Sequence, residues 1–317
     1  MDTMRLTSPA SRGVRVASLS LAALVTAATL TSCGGDDSAE DPSTASGTTS
    51  ASPTPSEEPT TAEPTPTEGG GVEEDAPTGT VPVYYVGSTG QGDRLFREFR
   101  KVSGEPGLGA AEMVASGSPL DPDYRSAFPD GSGFSSVSTE DGLVVVTLAD
   151  DDWVARPGDM NGRAASLAVQ SLVYTVQGAL QTRDPVEVRD SSGAATTLLG
   201  VDTAGGVANA DQLEVLSLVN VTSPEQDSEV SGSITASGVA SSFEATVPWE
   251  VRDDSDAVVL NGFATAEGWM DGLYPWETEV DLSGLAPGTY TFLAMTSDPS
   301  GGEGNPPMFD TKQVTVG

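Results

Sequence analysis

The chain has 317 residues, of which 47 are Asp or Glu and 14 are Lys or Arg, so its formal net charge at pH 7 is −33. A surface this acidic repels nucleic acid phosphates and anionic lipid head groups, so we expect no nucleic acid partner. The chain has no histidine and a single cysteine. This composition excludes Ser-His-Asp and Cys-His catalysis, histidine-ligated zinc and an internal disulfide.

The N-terminal segment has the pattern of an export signal. Three arginines precede residues 16–30, an almost wholly apolar run with the length of a signal-peptide core, too short to span a bilayer comfortably. The run ends at Leu30-Thr31-Ser32-Cys33-Gly34, which resembles the lipobox of bacterial lipoproteins. The resemblance implies a diacylglyceryl thioether on the Cys33 thiol. We therefore predict a lipoprotein signal peptide over residues 1–32 and lipidation at Cys33.

Lipid at Cys33 predicts the location of the protein. Several acyl chains on one residue anchor far better than a single chain does, so we expect attachment to the cell membrane on its extracytoplasmic face. The alternative is a plain secretory signal with an incidental cysteine, although Cys33 is the only cysteine in the chain. The excess of arginine over lysine and the many alanines and glycines are typical of a high-GC actinobacterium.

Residues 33–79 are predicted to be a disordered acidic linker. The segment consists of Pro, Ser, Thr, Gly, Asp and Glu with scarcely an apolar side chain. Such a composition cannot bury enough surface to offset the entropy of ordering. A flexible coil of this length averages roughly 35–40 Å from end to end. The linker would therefore hold the following domains clear of the lipid head groups.

Residues 80–204 are predicted to form an α+β domain, in which two helices cover a small sheet. Asp141-Gly142 lies between two β-rich runs, which is a hairpin signal. Residues 108–116 have the spacing of a short helix. Residues 94–102 fit either a strand or a helix, and we favour a strand. The predicted strands are residues 81–86, 94–102, 135–139, 143–148 and 186–189.

The clearest helical pattern spans residues 163–181. Seven apolar residues recur on one face at helical spacing, and Pro185 follows the helix. The opposite face carries Gln170, Ser171, Gln177 and Gln181. We predict that the apolar face covers the neighbouring strands.

Residues 212–317 are predicted to form an all-β, immunoglobulin-like sandwich. Short β-rich runs are separated by turn residues without any helical period, and about seven strands in ~100 residues is typical of such a sandwich. In the third run, Trp249 alternates with Glu250 between Val247 and Val251, which predicts a buried tryptophan. The predicted strands are residues 213–221, 229–236, 245–252, 257–264, 274–282, 288–296 and 309–316.

The region from residue 80 onward resembles two known families. The first domain is similar to the GerMN family, a sporulation and germination module also found in actinobacterial lipoproteins. The second is similar to the immunoglobulin-like domain of bacterial spore germination. The stretches that carry the first resemblance are 93–99 (DRLFREF), 119–124 (PLDPDY), 128–132 (FPDGS) and 170–175 (QSLVYT). Those that carry the second are 240–245 (ASSFEA), 247–250 (VPWE), 287–290 (PGTY) and 297–303 (SDPSGGE).

The resemblances imply no catalytic residue. GerMN-type domains are similar to the ring-building folds of envelope and sporulation assemblies, and the immunoglobulin-like partner implies extracellular binding. We therefore expect a non-enzymatic, lipid-anchored envelope protein that acts as an interaction or assembly module, with no cofactor. Its expected partners are the membrane, through the lipid anchor, and an envelope protein or a cell-wall glycan.

Three aromatic residues are the candidate binding surface. Trp269, Tyr274 and Trp276 cluster in a glycine-bearing connection between predicted strands. Aromatic side chains on a loop can stack on sugar rings or form a hot spot for a protein partner. The alternative is that they close one end of the sandwich and belong to its core.

The many carboxylates suggest two further hypotheses. Calcium needs six to eight converging oxygens, and Asp150-Asp151-Asp152 or pairs such as Asp121 and Asp123 do not have the spacing of a calcium loop. We therefore predict solvated loops and no metal site. A peptidoglycan-processing enzyme would need two carboxylates at a set separation in a cleft, and the sequence singles out no such pair. This enzyme is the second alternative, after a wall-glycan-binding lipoprotein.

Overall fold

A computed structural model describes residues 78–317 of the chain. The predicted signal peptide, Cys33 and nearly all of the predicted linker lie outside the described residues. Within this part of the chain, no helix is long and apolar enough to cross a membrane. The α+β region followed by an all-β region confirms the predicted fold class.

The first domain is built on a long antiparallel hairpin of β1 and β2, with β3 on the other edge of β1. A second small sheet pairs β4 with β5 and β5 with β6 in parallel. The helices α1 and α2 both pack against the first sheet, and α1 also packs against β4 of the second. The elements are β1 (Thr78–Thr89), β2 (Gly92–Ser103), α1 (Pro106–Ser116), β3 (Tyr124–Arg125), β4 (Phe134–Glu140), β5 (Leu143–Leu148), α2 (Gly162–Leu180), β6 (Val186–Arg189), β7 (Thr197–Leu198) and β8 (Val201–Asp202).

The predicted hairpin between β4 and β5 is confirmed. Asp141 and Gly142 join the two strands with φ angles of 49° and 79°. Two consecutive residues with positive φ form the tight turn whose twist matches that of the flanking strands, which explains the Asp-Gly pair. Residues 94–102, which fitted either a strand or a helix, lie in β2.

Helix α2 begins after Asn161, whose side chain accepts a hydrogen bond from the backbone N–H of Ala164 at 2.9 Å. Its predicted position is confirmed, but its division into a buried and a polar face is not. Every residue from 167 to 177 is buried, including Gln170, Ser171 and Gln177. Only Gln181 of the predicted polar face is exposed.

The polar side of α2 is buried because it completes the hydrogen bonds of neighbouring backbone. Ser171 Oγ donates to the Tyr84 carbonyl oxygen at 2.6 Å, and Thr175 Oγ1 accepts from the Tyr84 N–H at 3.0 Å. Gln170 bonds the backbone of Ala208 and Ala210. The helix thus covers one edge of β1 and fixes the segment that leads to the second domain.

The second domain forms one curled, eight-stranded sheet in the order β10-β16-β15-β12-β13-β14-β11-β9. Residue 213 does not begin a strand as predicted, because Gln212 starts a short helix that Asp211 caps through the Leu213 N–H at 2.8 Å. The elements are α3 (Gln212–Val215), β9 (Val219–Ser223), β10 (Ser228–Val230), β11 (Ser233–Ala240), β12 (Thr246–Arg252), β13 (Val258–Ala266), β14 (Tyr274–Asp281), β15 (Gly288–Met295) and β16 (Phe309–Val316), with a single 3-10 turn at Phe243–Ala245.

The described residues lie in one compact unit. The segment between the predicted domains packs on the first of them, since Val207 and Val186 exchange two backbone hydrogen bonds of 2.8 and 2.9 Å. Leu95 on β2 and Leu216 after α3 are both buried in an apolar cluster that joins the domains. The predicted boundary between residues 204 and 212 stays a prediction. In the structure, residues on both sides of it pack against the first domain.

Candidate binding surface

The structure separates the three aromatic residues that the sequence predicted as one surface. Trp276 is 2% exposed and lies in the core of the second domain. Trp269 and Tyr274 are half-buried. The prediction that Trp276 is part of a binding surface is therefore wrong, and the alternative that it belongs to the core is correct.

The position of Trp276 follows from strand alternation. Along β14, Trp276 and Val280 are buried, whereas Glu277 and Glu279 are exposed. Side chains alternate between the two faces of a strand, so carboxylates on one face leave the tryptophan on the other. The run Trp-Glu-Thr-Glu-Val-Asp-Leu in the sequence carries this signal. Trp276 also faces Gly238 across the sheet, which leaves room for its indole ring.

The Tyr274 side chain is tied to the loop. Its hydroxyl donates to Asp271 Oδ1 at 2.7 Å, and this hydrogen bond raises the pKa of the Tyr274 phenol. A side chain added at Gly268 would meet the Tyr274 ring within 2.8 Å. The glycine of this connection therefore permits the ring to pack close to the backbone.

Trp269 is the predicted residue that remains at the surface, and it has a neighbour that the sequence analysis missed. Phe243, in the 3-10 turn, packs edge-on against Trp269 with ring centroids 5.2 Å apart. Phe243 is 40% exposed and Met270 is 68% exposed. We call Phe243, Trp269 and Met270 the end patch. A bulky aromatic residue in the polar turn Ser-Ser-Phe-Glu was the available signal for Phe243.

Exposed carboxylates flank the end patch along the chain. Glu244, Glu267 and Asp271 are neighbours of its members in sequence and are exposed. An apolar patch with polar neighbours is typical of a surface that binds a partner. Its negative rim favours a neutral or basic partner over an anionic one.

The acidic runs singled out in the sequence hold turns in this structure. Asp150 Oδ1 accepts from Ser132 Oγ at 2.7 Å and from the Asp152 N–H at 3.0 Å. These hydrogen bonds lower the pKa of Asp150. Asp151 Oδ1 accepts from the Ser191 N–H at 3.0 Å. Among residues 78–317, no three acidic or cysteine side chains are placed to hold a metal ion.

Sequence reasoning also missed a buried ionic cluster between the domains. Asp121 and Tyr124 of the first domain meet Asp310 and Lys312 of β16, and all four are 6% exposed or less. Lys312 Nζ lies 2.5 Å from Asp121 Oδ2, 2.8 Å from Tyr124 Oη and 3.1 Å from Asp310 Oδ1. We call these four residues the domain clamp. A lysine in an alternating strand gives no signal that its partner lies 191 residues away.

Each charged or polar side chain of the domain clamp is buried and has a hydrogen-bond partner within the clamp. Burial by itself lowers the pKa of Lys312, but the carboxylates of Asp310 and Asp121 outweigh burial and raise it. Burial, together with those carboxylates, raises the pKa of Tyr124 well above its ordinary value. Tyr124 therefore stays neutral and donates to Asp310 Oδ1 at 2.6 Å. Asp310 Oδ2 accepts from the Val221 N–H at 2.6 Å, so the cluster also fixes β9.

The fold and these surfaces define a two-domain protein, in which an α+β domain contacts an immunoglobulin-like sandwich through the buried domain clamp. Residues 82–190 match a family model described as sporulation and spore germination. Residues 218–303 match the model of the immunoglobulin-like domain of bacterial spore germination. Both resemblances predicted from the sequence are confirmed, in the predicted order. A comparison with curated proteins finds no match.

Proposed function

We propose that this protein is a non-catalytic interaction module of the cell envelope, anchored through lipid on Cys33 at the outer face of the cytoplasmic membrane. The observation that carries the proposal is the succession of two domains of the sporulation and germination type. The lipobox-like sequence at Cys33 supports the anchor. The acidic 33–79 segment would separate the folded unit from the membrane.

The end patch is the surface through which the module binds its partner. Trp269 and Phe243 offer aromatic surface at low entropic cost, which is the chemistry of interface hot spots. The exposed carboxylates around them repel an anionic surface. The partner is therefore an envelope protein with a neutral or basic binding site.

The domain clamp supports a role in assembly. A surface on the second domain keeps a fixed orientation to the first only when the domains do not rotate, and rotation is the usual expectation for polar interdomain contacts. Here Lys312 and Asp310 are buried against Asp121 and Tyr124. The module would thus hold the end patch at a fixed angle to the first domain.

The anchor is tested by Cys33→Ala in the native host. We expect unprocessed precursor or released soluble protein, because the lipid thioether requires the Cys33 thiol. Membrane fractionation with an antibody to the folded unit measures the distribution. Normal processing with full retention in the membrane fraction would remove the anchor from the proposal.

The binding surface is tested by Phe243→Ala with Trp269→Ala in the anchored chain. We expect the unmodified chain to cross-link to an envelope protein and the double variant to lose that cross-link. Phe263→Ala is the matched control, because Phe263 is an aromatic residue 67% exposed on β13 and outside the end patch. Equal cross-linking by the double variant and the control would contradict the assignment.

The second candidate is a lipoprotein that binds wall glycan through the same patch. It is favoured by the partly exposed indole of Trp269, since aromatic faces stack on sugar rings. Co-sedimentation with purified wall material separates the candidates: glycan binding predicts Trp269-dependent sedimentation without any protein partner. Release of soluble fragments during the same incubation would instead support a peptidoglycan-processing enzyme and overturn the non-catalytic proposal.

A further inference from the structure

A cleft of about 450 Å³ lies where the two domains meet, separate from the end patch. Its first-domain side includes Tyr84 on β1, Arg97 on β2 and Tyr174 on α2, and its other side includes Gln212 on α3 and Asn220 on β9. The rings of Tyr84 and Tyr174 are 5.2 Å apart and tilted by 46°. A volume of this size is typical of small-ligand sites.

The charge of the cleft is opposite to that of the chain. Within the part of the chain that the structure describes, its lining contains Arg97 and Arg183 and no carboxylate, although the chain has 47 acidic residues. Among the described residues, neither guanidinium has a carboxylate oxygen within 4.0 Å. Asp211 and Asp271 line only the adjoining depression, which shares Arg183 with the cleft. Arg97 Nη2 donates to Thr222 Oγ1 at 3.2 Å and its guanidinium lies over the Phe99 ring. Arg97 therefore lies at the border of the cleft, and no carboxylate of the described lining neutralises either arginine.

Three residues of the cleft also have a buried polar atom that no other group among residues 78–317 bonds: Arg97 Nε, Gln177 Oε1 and Asn220 Oδ1. The two amide groups cannot satisfy these oxygens by rotating. Gln177 Nε2 donates to the Asp184 carbonyl oxygen at 3.0 Å, and Asn220 Nδ2 donates to Asp310 Oδ2 at 2.9 Å. Each nitrogen is held by an acceptor, so each oxygen stays available to a donor. Gln177 is 1% exposed and Asn220 is 3% exposed, which makes an unmet acceptor costly.

We propose that this interdomain cleft binds a small ligand that carries a carboxylate together with amide N–H or hydroxyl donors. The carboxylate pairs with Arg97 and Arg183, since the guanidinium fork matches a carboxylate. The donors bond Gln177 Oε1 and Asn220 Oδ1. The apolar part of the ligand lies against the Tyr84 and Tyr174 rings. The inference rests on the cleft alone and does not depend on the lipid anchor or the end patch.

Two matched pairs of probes test this chemistry on the purified full chain by isothermal titration. The first pair is N-acetylmuramic acid and the neutral N-acetylglucosamine. The second is N-acetyl-Ala-Ala with a free carboxylate and the same peptide with a C-terminal amide. We expect the acidic member of at least one pair to bind about tenfold more tightly or better than its neutral partner, which corresponds to about 1.4 kcal/mol. The pair that responds identifies a sugar acid or a peptide as the source of the carboxylate.

Variants assign the binding to the cleft. Arg183→Ala, at an exposed residue with no hydrogen-bond partner among the described residues, should weaken binding about tenfold and leave the melting temperature unchanged. Arg97→Lys keeps the charge but loses the fork and should weaken binding less than Arg97→Ala. Lys101→Ala is the control, because Lys101 is exposed on the same strand as Arg97 and lies outside the cleft.

Three outcomes would overturn the proposal. The acidic and neutral probes could bind alike, or none of the four probes could bind. Lys101→Ala could also weaken binding as much as Arg183→Ala, which would show a general charge effect. Because the measurement uses purified protein, these outcomes leave the membrane and partner experiments untouched.

Discussion

The two domains bury polar and aromatic side chains in different ways. In the first domain, α2 is buried around most of its circumference, and Ser171 and Thr175 on its polar side bond the backbone of Tyr84. In the second domain, alternation separates the core from solvent along strands such as β14, where Trp276 is buried between exposed neighbours. A helix packed on several sides needs a hydrogen-bond partner for every buried polar group, whereas an alternating strand keeps those groups in water.

The domain clamp lies between the two domains and buries charged groups of both. Its disruption should cause the largest loss of stability. Lys312→Met leaves Asp121 and Asp310 buried without their cation, and breaking a buried ion pair costs ~3–5 kcal/mol. Urea unfolding measures the loss. Lys312→Met combined with Asp121→Asn and Asp310→Asn removes the uncompensated charges and should recover part of the stability. No recovery in the triple variant would mean that Lys312 acts through packing instead of charge.

Substitutions of Trp276 and Trp269 compare a core position with a surface position of the second domain. Trp276→Ala empties a site that is 2% exposed and should cost ~3–5 kcal/mol. Trp269→Ala removes a half-buried ring and should cost ~1 kcal/mol or less. Thermal unfolding of the two variants is the measurement. If both melt equally early, Trp269 belongs to the core and the end patch is not a binding surface.

Two glycines face tryptophans on neighbouring strands, and adding a side chain at each should cost a different amount of stability. Gly238 lies opposite Trp276, and Gly262 lies opposite Trp249. Trp249 packs against the core but is half-buried, not fully buried as its alternation predicted. A Cβ at Gly238 would overlap the backbone carbonyl oxygen of Asn220, whereas the atoms nearest to one at Gly262 belong to the Trp249 ring. Gly238→Ala should therefore cost more, ~1–3 kcal/mol. Equal melting temperatures for Gly238→Ala and Gly262→Ala would show that the backbone at Asn220 yields easily.

The smallest expected effect concerns the polar side of α2. Ser171→Ala leaves the Tyr84 carbonyl oxygen without its side-chain donor and should cost ~1–2 kcal/mol. Gln181→Ala, at an exposed position of the same predicted face, should change stability by less than ~0.5 kcal/mol. Urea denaturation of both variants compares them. If their effects do not differ, the hydrogen bonds of Ser171 do not stabilise the helix on β1.

Local patterns predicted most of the elements, because strand alternation and turn chemistry depend on neighbouring residues. The Asp141-Gly142 turn and the extent of α2 are examples. The errors arose from contacts between distant residues. Periodicity could not show that a segment around Ala208 would cover Gln170. For Trp276, the sequence carries both an alternating pattern, which predicts burial, and a glycine-bearing loop beside it, which predicts exposure, and the strand pattern is the one that the fold follows.

The residues of the candidate sites also fall into two groups: those indicated by a local pattern, and those brought together only by folding. Trp269 was found because an aromatic residue in a turn is a local feature. Phe243 became its neighbour only through folding, since 26 residues separate them along the chain. Lys312 and Asp121 were unpredictable as a pair, because a single sequence gives no indication of a contact between opposite ends of the folded region.

The central claim is that the two domains act as one rigid module joined by the domain clamp. Differential scanning calorimetry of the full chain tests it most directly. We expect a single cooperative unfolding transition for the unmodified chain and two separate transitions for Lys312→Met, in which the sandwich and the α+β domain unfold independently. Two transitions in the unmodified chain, at the temperatures seen in Lys312→Met, would contradict the claim.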